Sequence, residues 1–148
     1  MNKYSFNSIL LLFSTIFMSI NAYSQTNEWE EYYIDNQLKI EYKNIVCEFS
    51  STASQEMIVF KFSNLTNRNI TLDYETTLWH NETKVNTEQN QEEFRKTIRL
   101  EANEIIEINC QKDLKEFAIF SGFIHNETLE RFISLTKFEL ININIKNE

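Results

Sequence analysis

The chain holds 148 residues, 14 basic against 22 acidic, for a net charge of −8 at neutral pH. An acidic surface repels phosphate backbones and anionic lipid headgroups, which argues against a nucleic-acid partner and against docking on a membrane through a basic patch. A single glycine leaves no material for a Gly-rich phosphate cradle or a GxSxG nucleophile elbow. Proline is absent, alanine occurs four times and asparagine 18 times. Gly, Pro and Ala need G/C-rich codons whereas Asn, Lys, Ile and Phe use A/T-rich ones, so the bias reads as genome composition rather than function. Its structural consequence is that turns requiring positive φ fall to Asn or Asp, the most tolerant residues after Gly.

Residues 1–24 read as a secretory signal: Lys3, an apolar run from Ile9 to Met18, then Ala22 and Ser24 at the small positions before cleavage. Cleavage is expected between Ser24 and Gln25. The run is shorter than the roughly 20 apolar residues a spanning helix needs, so no stable membrane insertion is expected once the signal is removed. It is unbroken rather than amphipathic, which argues against a buried N-terminal helix, and no cysteine follows it to carry a lipid. Residues 25–148 are expected to form a single domain. Losing Lys3 leaves 13 basic against 22 acidic residues, a net charge of −9.

The mature chain opens with NEWEEYYI at 27–34, where Trp29, Tyr32 and Tyr33 sit among acids. Aromatic side chains beside carboxylates are candidate contacts for a sugar or a protein partner. The plainer reading is an N-terminal strand laid over one end of the fold. Leu38, Ile40 and Tyr42 then alternate with polar residues, and Ile45, Cys47 and Phe49 continue one residue out of phase, which predicts a β-bulge near Lys43 and Asn44. Strict alternation returns in EMIVFKFS (56–63), with Ile58, Phe60 and Phe62 on one face. In NITLDYETTLW (69–79), Ile70, Leu72, Tyr74 and Leu78 share a face, and Trp79 lies out of that phase, as a cover for a sheet edge or as an exposed contact. Between these strands, NLTNRNITL (64–72) carries Asn-x-Thr sequons at Asn64 and Asn69, and Asn81 and Asn126 begin two more. Four is close to what 18 Asn and 23 Ser or Thr produce by chance. The stretch therefore reads as a hairpin-like turn in which Asn64 and Asn67 stand in for glycine.

NTEQNQEE (86–93) reads as a solvated loop, and EFRKTIRL (93–100) alternates Phe94, Ile98 and Leu100 with Arg95, Thr97 and Arg99. EIIEINC (104–110) puts Ile106 and Ile108 in phase with Cys110. Residues 113–125 read as a strand with an irregular continuation around Gly122, and 126–132 as one helical turn. LTKFELININI (135–145) slips phase between Leu140 and Ile143, a second bulge-like irregularity. Seven or eight strands with one apolar and one polar face predict an all-β, antiparallel two-sheet sandwich.

An exported chain meets an oxidising compartment, so Cys47 and Cys110 are expected to form one disulfide; both fall on apolar faces, consistent with a bridge between sheets. A catalytic thiol or metal pair has no CxxC and no partnering His in its favour. His80 and His125 each precede a turn, and no spacing puts two ligands on one face. Glu88, Glu92 and Glu93 lie in the polar loop, and nothing singles out a carboxylate pair for glycoside hydrolysis. No catalytic residue, metal or cofactor is assigned on this reading, and an enzyme is not expected.

So laid out, residues 25–145 resemble small uncharacterised secreted proteins of flavobacteria and other Bacteroidetes. The likeness rests on YSQ at the end of the signal and Trp29 early in the mature chain. It extends to KFSNLTNRNITLDYETTLWHNET with its LW and short turn, to LKEFAIFSGF, and to the closing LTKFEL. The resemblance implies an immunoglobulin- or fibronectin type III-like sandwich outside the cytoplasm, and no particular activity. Trp79 stands midway between Cys47 and Cys110 rather than soon after the first, so the bridge is not expected to be the B–F disulfide of true immunoglobulin domains. The expected function is that of an exported, non-catalytic interaction or structural module of the periplasm, cell surface or medium, with a protein or glycan partner. The alternative is a carbohydrate- or small-ligand-binding module using Trp29, Tyr32, Tyr33 or Trp79.

Overall fold

The computed structural model describes residues 28–48, 53–110, 116–125 and 134–148. The signal segment, the helical turn expected at 126–132 and the sequon at Asn126 lie outside the described residues. The rest is nearly all β: β1 (Glu30–Ile34), β2 (Leu38–Glu48), β3 (Ala53–Asn64), β4 (Ile70–His80), β5 (Thr83–Lys84), β6 (Arg95–Leu100), β7 (Ile105–Glu107), β8 (Ile119–His125) and β9 (Leu135–Asn147), with a 3-10 turn at Gln91–Phe94. Among the described residues no helix is long and apolar enough to cross a membrane.

The strands form two antiparallel sheets. In the first, β1, β2 and β3 are neighbours, and β7 and β8 share the far edge of β3, β7 against Lys61–Ser63 and β8 against Ala53–Ile58. In the second, β9 runs along one edge of β4, while β6 and β5 share the other, β6 from Ile70 to Glu75 and β5 at Trp79 and His80. Alternation turns Leu38, Ile40, Phe60 and Phe62 of the first sheet and Ile70, Leu72 and Leu100 of the second inward, and all seven are 0% exposed. Each side chain of this kind contributes about 1.5–3 kcal/mol when fully removed from water. Rings meet across the two layers, Phe62 with Tyr74 at 5.8 Å between centroids and Phe60 with Phe138 at 5.9 Å.

The irregularities follow the phase slips unevenly. In β9 the register against β4 shifts between Asp73 and Glu75, and Asn142 takes φ 54° there, so the slip expected between Leu140 and Ile143 is a bulge built on a left-handed Asn. The bulge expected at Lys43 and Asn44 is absent: β2 pairs with β3 without a shift from Leu38 to Glu48. Cys47 is covered on the outer face of the first sheet instead, where Asn109, Cys110 and Ala118 enclose a small opening of about 60 Å³ with it, Gln55 and Met57, and Ile45 packs against the core cluster. A bulge does occur in β1, where Tyr32 is the extra residue between the Glu31 and Tyr33 pairings, and it lets two consecutive tyrosines pack against the core. In β8 the extra residue opposite the Glu56–Met57 step is Ser121, beside Gly122.

The stretch 64–69 is not a hairpin turn. It carries the chain from β3 in the first sheet to β4 in the second. Neither Asn64 nor Asn67 has positive φ; among the described residues the left-handed positions are Asn81, Glu82, Asn103 and Asn142. Asn81 and Glu82 form the two-residue turn between β4 and β5, where both central residues need φ > 0. Asn64 acts through its side chain. Only 3% exposed, it donates from Nδ2 to the carbonyls of Arg68 and Glu101, each at 2.7 Å, and its Oδ1 accepts from the Thr66 amide at 2.9 Å and the Thr66 hydroxyl at 2.8 Å. The Asn and Thr of that sequon are thus bonded to each other inside the fold.

Cys47 and Cys110 form the disulfide, with Cα atoms 5.7 Å apart. It does not tie one sheet to the other. Cys47 lies in β2, and Cys110 follows β7, whose continuation at Ile108 donates its amide to the Phe60 carbonyl of β3 at 2.8 Å. Both ends belong to the first sheet, and Cys110 itself is exposed.

Candidate polar groove on the second sheet

With Ile70, Leu72 and Tyr74 turned inward, β4 presents Thr71, Asp73, Glu75, Thr77 and Trp79 on its outer face. Their cross-strand neighbours build a charge network. Asp73 accepts from Lys146 Nζ and from the Thr97 hydroxyl, both at 2.6 Å, and these two bonds hold its carboxyl below the usual range. Glu75 accepts from Arg95 Nε at 3.0 Å, and Arg95 also bonds Glu92 at 2.6 Å. Elsewhere, burial alone would raise Asp35, but the Gln37 amide, the Tyr33 hydroxyl and the Leu38 amide together lower it. Glu41 follows the same pattern, its burial outweighed by Lys61 and Lys39.

These shifts fix the sign of acid sensitivity. A carboxyl lowered in the folded state adds stability that is fully present above its unfolded pKa, near 4, and is lost as pH falls through the folded value. The melting temperature is therefore expected to be level from neutrality to about pH 5 and to fall below about pH 4. Asp35→Asn should lower the neutral-pH value and blunt the acid decline. Thermal unfolding monitored by circular dichroism across pH checks this; a melting temperature that rises on acidification would contradict it.

Between the part of β4 paired with β5 and the part paired with β6, residues 76–78 have no strand on that edge. Asn86 fills the gap with its side chain: Nδ2 donates to the Thr76 carbonyl and Oδ1 accepts from the Leu78 amide, both at 2.8 Å. A carboxamide there satisfies the ladder groups as a peptide unit would. Asn90 fastens the loop that follows, accepting from the Thr87 amide at 2.7 Å and donating to the Val85 carbonyl at 3.2 Å. The segment expected as a solvated loop is thus tied to the sheet by Asn86 and braced internally by Asn90. No hydrophobic period marks such a role, and only the density of Asn in that stretch hinted at it.

Beside this loop lies a groove of about 330 Å³. Glu75 and Thr77 line it from β4, Thr87, Glu88 and Gln91 from the loop. Phe94 and the 38%-exposed Ile141 of β9 add an apolar strip, and Lys84 a cation. Among the described residues the side chains of Glu88 and Gln91 make no hydrogen bond or ion pair, so they face solvent uncommitted. Comparison of the chain with protein-family models, curated proteins and solved structures finds no match.

The aromatic residues singled out in the sequence do not gather in one place. Trp29 stands on the outer face of the first sheet between Lys43 and Lys61, whose ammonium groups lie 4.4 and 4.8 Å from its ring centroid. Tyr32 stacks on Phe138 and its hydroxyl accepts from the Leu140 amide at 2.7 Å, linking β1 to β9. Tyr33 donates to Asp35 at 2.8 Å. Trp79 lies on the outer face of the second sheet between Lys137, at 4.6 Å, and Lys84, at 5.9 Å. Of the four, Trp79 alone adjoins the groove, through Lys84. His80 Nε2 is 3.1 Å from the Phe120 carbonyl and joins the two sheets; His125 closes β8. Among the described residues no group of three or more His, Cys, Asp or Glu is placed to hold a metal ion.

Proposed function

We propose that the protein is an exported, non-catalytic binding module on an immunoglobulin-like sandwich, and that it meets its partner on the outer face of the second sheet. The observation that carries this reading is the groove, whose loop wall is held in place by Asn86 and Asn90 before any ligand arrives. A wall already ordered spares the ligand the entropy of ordering it. Export is supported by the signal-like N-terminus and by a disulfide that fits an oxidising compartment. The likeness to secreted sandwiches of flavobacteria points the same way. A non-catalytic role is supported by the lack of nucleophile or metal spacing in the sequence and by the engagement of Glu75 with Arg95.

The test is a titration of isotope-labelled mature protein with a library of small polar fragments, followed by backbone amide shifts. Shifts confined to residues 75–94 and 141, and lost in Ile141→Arg, are expected. Shifts spread over both sheets, or none, would remove the groove as the binding surface. Intact mass of the exported protein should correspond to a chain beginning at Gln25.

A further inference from the structure

We infer that the groove is built for a neutral saccharide, an inference that rests on the binding surface proposed above. Four observations carry it. The first is size: about 330 Å³ lies at the lower end of small-molecule sites, room for a sugar ring or two and too small for a folded partner's loop. The second is the division of the lining. A pyranose is amphiphilic, with C–H faces and a rim of hydroxyls. The groove's lining offers both characters, apolar Phe94 and Ile141 and polar Thr87, Glu88 and Gln91. Adjacent hydroxyls present donors and acceptors in pairs, which a planar carboxylate or carboxamide meets with both its terminal atoms. Glu88 and Gln91 are the two planar groups here without partners among the described residues.

The third observation is charge. Glu75 is paired with Arg95, and the lining's other two charges, Lys84 and Glu88, are of opposite sign with no ion pair on either among the described residues. With one unpaired cation and one unpaired anion the lining carries no net charge that would select an anion or a cation. A neutral polyhydroxylated ligand is what remains. The fourth is the state of the strand edge. An extended peptide binds most readily by adding to exposed ladder groups. At residues 76–78 of β4 those groups are already taken by Asn86, so a peptide has only side chains to bind.

The probes are maltotriose, cellotriose and triacetylchitotriose, added separately to the mature protein at millimolar concentration, with amide shifts and Trp fluorescence as readouts. At least one is expected to give saturable shifts at Thr77, Thr87, Glu88 and Gln91, with weaker emission changes from nearby Trp79. Gln91→Ala, at an exposed position, should keep the wild-type melting temperature and weaken that binding about tenfold, the effect of losing a hydrogen bond worth about 1.4 kcal/mol. Trp29→Phe should leave binding unchanged. Groove shifts with the polar fragments but with no saccharide would overturn the saccharide assignment while leaving the binding surface standing. Tighter binding of acetate or inorganic phosphate than of any sugar would overturn it too. A groove that answers neither fragments nor sugars overturns both readings.

Discussion

Asn64→Ala is expected to destabilise the protein by about 2–4 kcal/mol, because it strands several polar groups at once. The Asn64 carboxamide is almost fully buried and is the point where two chain segments meet: its own turn through Thr66 and Arg68, and the β6–β7 connection through Glu101. Removing the side chain leaves the Glu101 carbonyl and the Thr66 amide to find water or go unpaired, while the Arg68 carbonyl keeps the Thr66 hydroxyl at 3.0 Å, and each unpaired group costs about 1–3 kcal/mol. Asn64→Asp keeps the shape and tests the chemistry. It replaces the donor by an acceptor that faces two carbonyl oxygens, so its carboxyl should be pushed above the usual range. Its deficit should therefore shrink as pH falls toward that raised value, where the protonated form can donate again. Urea unfolding of the wild type and both variants measures this. A loss under about 1 kcal/mol for the alanine variant would mean that the backbone holds the turn without the carboxamide.

The second large effect is expected from opening the Cys47–Cys110 bridge. It closes a loop of 63 residues, which in the chain-entropy account restricts the unfolded ensemble by about 4 kcal/mol. Against a total stability of roughly 5–15 kcal/mol for a domain, that is a large share. The Cys47→Ser, Cys110→Ser double variant, compared with the oxidised protein by urea unfolding, should show the loss. Because both half-cystines belong to the first sheet, hydrogen exchange should rise first at 105–110 and 116–118 and least at 70–74 in β4. An unchanged midpoint, or exchange that rises first in the second sheet, would contradict this account.

How much of this could be read from the residues alone depends on whether a feature is local. Alternation in Ile58–Phe60–Phe62 and in Ile70–Leu72–Tyr74 reports which face is buried, and the structure places those faces inward. The slip in β9 reports a real bulge because the partner strand keeps its own phase there. The same kind of slip in β2 arises from another cause, since Cys47 is placed to meet Cys110 and its neighbours on the outer face. Phase alone does not distinguish a bulge from a strand covered on both sides. The turn at 64–69 has the length of a hairpin loop, and only the positions of the sheets reveal that it crosses between them. The two Trp–Lys clamps need strand register: Lys137 and Lys84 are the cross-strand neighbours of Trp79 in β9 and β5. The groove was least legible, for its wall depends on two side chains of Asn86 and Asn90 replacing backbone contacts.

Asn142 and Tyr32 bear on a different matter, colloidal behaviour. A long edge strand such as β9 offers unpaired backbone groups that could template association with another copy. The Asn142 bulge and the Tyr32 hydroxyl on the Leu140 amide divide that edge. A second register shift falls at Thr136, so what remains regular is 137–139 and 143–147, each shorter than the six or seven residues that stacked strands need. A left-handed asparagine and one phenol thus let the protein keep a long strand at its sheet edge without presenting a long strand to its neighbours.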